Sequence, residues 1–268
     1  MIPIESIDKL EATWRSLSAL GSELDEHQWK LPTDLAGWTV QDNLAHVVGI
    51  ERTLQGLPAA VAPSQMGDHV KNPIGQSNEA EVEARRSRSG AEVLAEWNEI
   101  VELRLSTLRT ADDDYFAKPM ATPTGPGTMA DLLHIRVLDC WIHEQDMRRA
   151  VGKPGHLTGS AAEHTVDRLL RTIPIVVGKR AATPEGGAVV LDIAGDVTRH
   201  VVCEVTDGRA AVVAAPTSEP LATITLDVEA FVVLATGRCT AASIADRIEL
   251  TGDQALGQRV VDNLNMMI

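Results

Sequence analysis

The chain has 268 residues, 44% of them hydrophobic and 23% charged, with a net charge of −14. That charge excludes a general nucleic-acid binder, which needs a basic stripe, and disfavours an anionic membrane surface as partner. Three widely spaced cysteines, Cys140, Cys203 and Cys239, exclude a disulfide framework and a thiolate zinc site. No apolar run approaches a membrane span and no signal-peptide core is visible, so a cytoplasmic protein is expected.

The first half reads as helices. Ile7, Leu10, Trp14 and Leu17 fall at a 3-4-3 spacing, the stripe of an amphipathic helix. "LPTDLAGW" interrupts it, and a second helix opens at "TVQDNLAHVVGIERTL", where Thr39 and Asp42 form a capping-box pattern. Residues 56–77 read as a long loop. A third helical segment is expected from near Asn78, interrupted at Ser89-Gly90, with Trp97, Val101, Leu105 and Leu108 carrying its stripe. "ATPTGPGTMAD" reads as another loop. Thr128 and Asp131 cap a fourth helix that runs to Gly152, just before Pro154. Four long amphipathic helices predict a four-helix bundle, in which sites are built from side chains on facing helices.

Beyond residue 153 the texture changes. Residues 160–180 look helical with a break at Pro174. Short β-like runs follow at 188–194, 200–205, 210–215 and 222–227, with Asp207-Gly208 as a hairpin turn. A helix ending at Gly237, a short strand at "RIEL" and a final helix over "DQALGQRVVDNLNMM" complete the pattern. The fold class is therefore α+β, a helical bundle over 1–153 followed by a small α+β domain over 154–268.

One stretch, "RVLDCWIHEQDMRRAVG", carries Arg136, Asp139, His143 and Asp146 at steps of three, four and three, roughly on one helix face. Asp139 and His143 place two ligand types one turn apart. Two histidines and a carboxylate leave a zinc ion one open position, as in catalytic sites. His46, mid-helix among apolar residues, is the first candidate for the third ligand, and His134 ranks behind it. The same residues also fit other readings: a surface ion pair at 139 and 143, a boundary histidine at 46, or a metal-free proton relay through His143, Asp146 and His46. Arg136 is placed to hold Asp139 in one rotamer, as metal sites require of outer residues, or to form a surface salt bridge. Glu51 reads as a surface residue before an outer-shell one, Arg148 and Arg149 as structural, and the remaining histidines as solvated.

"PTDLAGWTVQDNLAHVVGIE" and "RVLDCWIHEQDMRRAVG" resemble the two helix signatures of the mycothiol-dependent maleylpyruvate isomerase family, within the DinB-like bundle superfamily. "ATITLDVEAFVVLATGR" and "IELTGDQALGQRVV" resemble the sterol-carrier-like domain that often follows. The resemblance implies metal ligands at His46, Asp139 and His143, although the family's carboxylate is usually Glu. It implies mycothiol as a cosubstrate thiol that attacks an electrophile, by isomerisation or S-transfer, and an essential arginine best matched by Arg238. A non-catalytic lipid- or small-molecule-binding module and a metal-dependent hydrolase are the competing functions. The electrophile, the native metal and the oligomeric state are not legible.

Overall fold

A computed structural model describes residues 1–61 and 67–267. It divides the chain into two units, Met1–His156 and Leu157–Ile268. In the first unit the helices are α1 (Ile4–Ser22), α2 (Glu26–Trp29), α3 (Val40–Leu54), α4 (Pro73–Arg86), α5 (Gly90–Thr110), α6 (Asp113–Ala117) and α7 (Met129–Val151). The long helices α1, α3, α5 and α7 form the bundle: α1 packs on α5 and α7, and α3 packs on the same two.

Local sequence sets the helix ends. Thr39, Ser89 and Thr128 each accept from the backbone N–H three residues on, and Asp42, Glu92 and Asp131 return the bond, so three of the four bundle helices start on a complete capping box. Gly152, at φ 65°, closes α7 in the left-handed conformation that suits glycine. The core is aliphatic with a few large rings. Trp14 of α1 meets Trp97 of α5 edge to face at 6.1 Å, with Leu10, Leu17, Leu44 and Leu108 fully buried.

Two expected loops contain regular structure. The 56–77 stretch includes residues 62–66, which lie outside the described residues, but at its far end Asn72 caps α4 and Pro73 occupies its first turn. Proline lacks the N–H that would go unpaired there, so Asn-Pro opens this helix rather than extending the loop. Pro119–Thr122 (β1) and Gly125–Thr128 (β2) form a small antiparallel hairpin that leads into α7.

In the second unit, α8 (Ser160–Leu170) is followed by a π-helical turn at Ile175–Arg180, just after Pro174. The strands are β3 (Ala188–Ala194), β4 (Arg199–Thr206), β5 (Arg209–Val213), β6 (Ala222–Asp227) and β7 (Ile248–Gly252), in the order β5-β4-β3-β6-β7. Among these five strands β3 and β6 pair in parallel and the other neighbours antiparallel. Asp207 and Gly208 both take positive φ, 54° and 72°, as the tight β4–β5 turn demands. Registers Val189↔Ala222, Leu191↔Ile224 and Ile193↔Leu226 set one buried apolar face. Helices α9 (Val228–Ala235) and α10 (Gln254–Asp262) pack against the sheet. The final helix is shorter than expected, because the chain leaves helical geometry at Asn263.

Candidate metal centre

Helices α3 and α7 pack side by side, and their facing sides hold the polar residues picked out above. His46, on α3, and Asp139 and His143, on α7, bring one possible ligand atom each within 4.8 Å of one another. His46 Nε2 lies 3.3 Å from Asp139 Oδ2, and His143 Nε2 lies 3.6 Å from Asp139 Oδ1. The two imidazole rings are 4.6 Å apart. Both histidines are buried, while Asp139 keeps 22% of its side chain exposed. Of the two ligand faces, the carboxylate is thus the one that solvent reaches.

The electrostatics of the cluster favour a cation. Burial pushes His46 down to about 4, against the pull of the neighbouring Asp139 charge, so its imidazole is neutral at pH 7. For Asp139 burial alone would raise the carboxyl, but the Arg136 charge above all, together with the hydrogen bond from His46, outweighs it and holds it well below the usual carboxylate range. A neutral imidazole and an ionised carboxylate are the protonation states a divalent ion needs. The other ring nitrogen of His46, Nδ1, is buried with no hydrogen-bond partner among the described residues. A donor set of two imidazoles and one ionised carboxylate, brought within 4.8 Å of one another, fits a divalent ion.

The surrounding residues hold these groups in place. Arg136 is buried and its Nη1 donates to Asp139 Oδ2, the contact expected of it, while Nη2 donates to Cys140 Sγ at 3.3 Å. Asp146 is fully buried with Oδ2 3.6 Å from His143 Nδ1, and it accepts from Arg149. Arg149 in turn reaches Asp34 at 2.7 Å. Trp38, just ahead of α3, lays its ring 5.2 Å from His46 and 5.8 Å from His143. Its Nε1 donates to buried Glu79 of α4 at 2.9 Å.

One partner escaped the sequence reading and another was ranked at the surface first. Asn43 Oδ1 lies 2.7 Å from His143 Nδ1, one turn before His46 on α3. Glu51, expected at the surface, is 1% exposed and accepts from Arg136 Nε at 2.8 Å and Arg104 Nε at 3.0 Å. Asn43 was detectable as a second polar residue on the His46 side of α3; Glu51 carries no such signal, because its cations come from other helices. Three histidines expected in solvent are also paired: His69 with Glu79 at 3.1 Å, His156 with buried Glu144 at 2.7 Å and exposed His200 with Asp192 at 2.6 Å. His134 contacts Ser6 at 3.3 Å and does not join the cluster. Arg238 belongs to the second unit, where it follows α9 and its Nη1 donates to the Thr236 carbonyl at 2.9 Å.

Among the described residues no helix is long and apolar enough to cross a membrane. The chain is similar in fold to the crystal structure of the mycothiol-dependent maleylpyruvate isomerase, with 17% identity, a TM-score of 0.59 and coverage of 94% of this chain and 93% of that one. A histidine-to-alanine mutant of the mycothiol-dependent maleylpyruvate isomerase matches with 16% identity, a TM-score of 0.58 and the same coverages. No curated protein matches the sequence. Residues 167–265 match the SCP-2 sterol transfer family. Residues 10–148, just over half of the chain, match the mycothiol maleylpyruvate isomerase N-terminal domain, and the chain belongs to that family.

Proposed function

We propose that the protein is a divalent-metal-dependent enzyme that directs a low-molecular-weight thiol, mycothiol, at an electrophilic substrate, by isomerisation or S-transfer. His46, Asp139 and His143 are the metal ligands, with zinc as the expected ion. The observation that carries this reading is the convergence of two imidazoles and an ionised carboxylate from two helices within 4.8 Å. When bound, the metal supplies the Lewis acidity that favours thiolate over thiol, the nucleophilic form. The chain's own residues prepare the site. Burial keeps His46 unprotonated, Asn43 orients His143, and Arg136 fixes Asp139.

The chain does not supply a thiolate of its own beside this cluster. Cys140 is adjacent to Asp139, but burial pushes its thiol up to about 12, beyond what the Arg136 charge can offset. In this reading the nucleophile is a thiol from solution and not Cys140. The family supports mycothiol in that role. Arg238 is part of the proposal as the catalytic arginine, to be judged by whether Arg238→Lys, which keeps the charge, retains turnover that Arg238→Ala loses.

Metal content of wild type and of His46→Ala, Asp139→Ala and His143→Ala, with turnover of electrophiles in the presence and absence of mycothiol, tests the reading. One metal per chain, absent from each variant, with thiol-dependent turnover, is the expected result. A wild type that takes up no divalent ion rejects it. A carrier function is favoured by one observation, the SCP-2 match over 167–265; co-purifying lipid with no thiol-dependent turnover would decide for that function.

A further inference from the structure

Behind Asp139 runs a line of buried charges that the ligand set alone does not require. Arg104 on α5 is 0% exposed, Glu51 on α3 is 1% exposed, and Arg136 on α7 is 3% exposed. Arg104 Nε donates to Glu51 Oε2 at 3.0 Å, Arg136 Nε donates to Glu51 Oε1 at 2.8 Å, and Arg136 Nη1 donates to Asp139 Oδ2. Arg104 is anchored further by Tyr115 Oη at 3.1 Å. Two cations and two anions alternate, so the line is neutral as a whole. Each carboxylate oxygen of Glu51 takes one arginine.

Such an arrangement is costly if stability is its only purpose. Buried ion pairs are often matched or improved upon by apolar residues of similar size. Its geometry does something an apolar core would not. The Arg136 guanidinium is planar, so fixing Nε at Glu51 fixes the direction of Nη1 at Asp139. Glu51 also absorbs part of the Arg136 charge. Without it, Arg136 would face Asp139 alone, Arg104 would lose its carboxylate, and a dication at Asp139 would meet an uncompensated positive charge.

Resting on the metal-centre reading above, we propose that Glu51, locked by Arg104, is a positioning residue that aims Arg136 at Asp139 and sets the affinity of the centre for a divalent ion. The line spans three bundle helices, α5, α3 and α7, and couples their packing to the ligand carboxylate.

The test uses the full chain, with Co²⁺ as the probe ion read by its visible absorption, and Zn²⁺ affinity measured by chelator competition. Glu51→Gln keeps the shape and removes the charge; it should weaken Zn²⁺ binding by about 10- to 100-fold, as loss of an outer-shell partner does, and shift the Co²⁺ spectrum. Since that variant also leaves two buried arginines short of a partner, Glu51→Leu with Arg104→Met removes the pair together and restores charge balance and packing. If Glu51 positions Arg136, this double variant recovers thermal stability but not the wild-type Zn²⁺ affinity or Co²⁺ spectrum. Recovery of affinity and spectrum together with stability would mean a purely structural pair and would overturn the proposal. Wild type that binds neither ion removes the metal-centre reading and this proposal with it.

Discussion

His143 Nδ1 lies 2.7 Å from Asn43 Oδ1, and that contact settles which imidazole nitrogen is left to bind a ligand. The Asn43 amide has no freedom to flip. Its Nδ2 donates to the Thr39 carbonyl at 2.9 Å and to Thr33 Oγ1 at 3.1 Å, so its oxygen must face His143. Nδ1 of His143 is then the protonated nitrogen, and the Nε2 lone pair faces Asp139. Asp146, one turn on from His143 along α7, stands farther away at 3.6 Å and is already engaged by Arg149.

Asn43→Leu is therefore expected to weaken Zn²⁺ binding by about 10- to 100-fold. Leu fills a similar volume but removes the bonds to Thr39 and Thr33 along with the contact to His143, so thermal stability is measured beside affinity. Chelator competition measures the change. Affinity equal to wild type would show that Asp146 orients His143 without help, and would shift the weight of the outer shell to α7.

Cys140 should be inert. Trp14 Nε1 and Arg136 Nη2 both donate to its sulfur, it is fully buried, and its thiol is pushed up to about 12 by burial. Cys203 is buried too and pushed up to about 11. In the native protein a thiol-specific reagent should modify neither until the chain unfolds, leaving half-exposed Cys239 as the reactive thiol. Cys140→Ala should keep metal binding and thiol-dependent turnover. Loss of turnover with metal retained would mean that the protein uses its own sulfur.

Helix periodicity made much of this site readable in advance. Asp139 and His143 stand one turn apart, so any helical reading of 129–151 puts them on one side, and His46 is a titratable group inside an apolar stripe. What the spacing could not give was pairing across helices. Glu51 follows His46 by five residues, well around the helix, and its partners Arg104 and Arg136 lie 53 and 85 residues away in sequence. The hairpin at 119–128 was hidden for another reason. Its strands are four residues each, rich in Pro and Gly, and lack the β-branched alternation that marks a strand.

The buried imidazole of His46 gives the metal-free chain a specific acid sensitivity. Its folded value is about 4 against an ordinary 6.5, because burial disfavours the charged ring. Between those values the unfolded chain takes up a proton that the folded chain refuses, so stability present above pH 6.5 falls as the pH drops towards 4. From pH 7 to pH 5 this one group costs about 2 kcal/mol, at about 1.4 kcal/mol per unit. Asp139, held below its ordinary value, adds a loss only at lower pH. Urea unfolding of chelator-treated protein should show a fall from pH 7 to pH 5 that is about 2 kcal/mol smaller in His46→Gln than in wild type. Identical falls would mean that His46 is protonated in the folded state and poorly suited to a cation.

Asp139 separates charge from length at the centre. Asp139→Asn keeps the shape but removes the anion between Arg136 and the two imidazoles. It should abolish stoichiometric metal binding and also lower stability, since buried Arg136 keeps Glu51 but loses its second carboxylate. Asp139→Glu keeps the charge and adds one methylene. The side chain is 22% exposed, so the extra length has room on the solvent side. This variant should retain one metal per chain while changing the Co²⁺ absorption, because the carboxylate approaches from a longer arm. Elemental analysis and the Co²⁺ spectrum read both variants. If Asn binds metal as well as Glu does, the charge at 139 is dispensable and Asp139 is not a ligand.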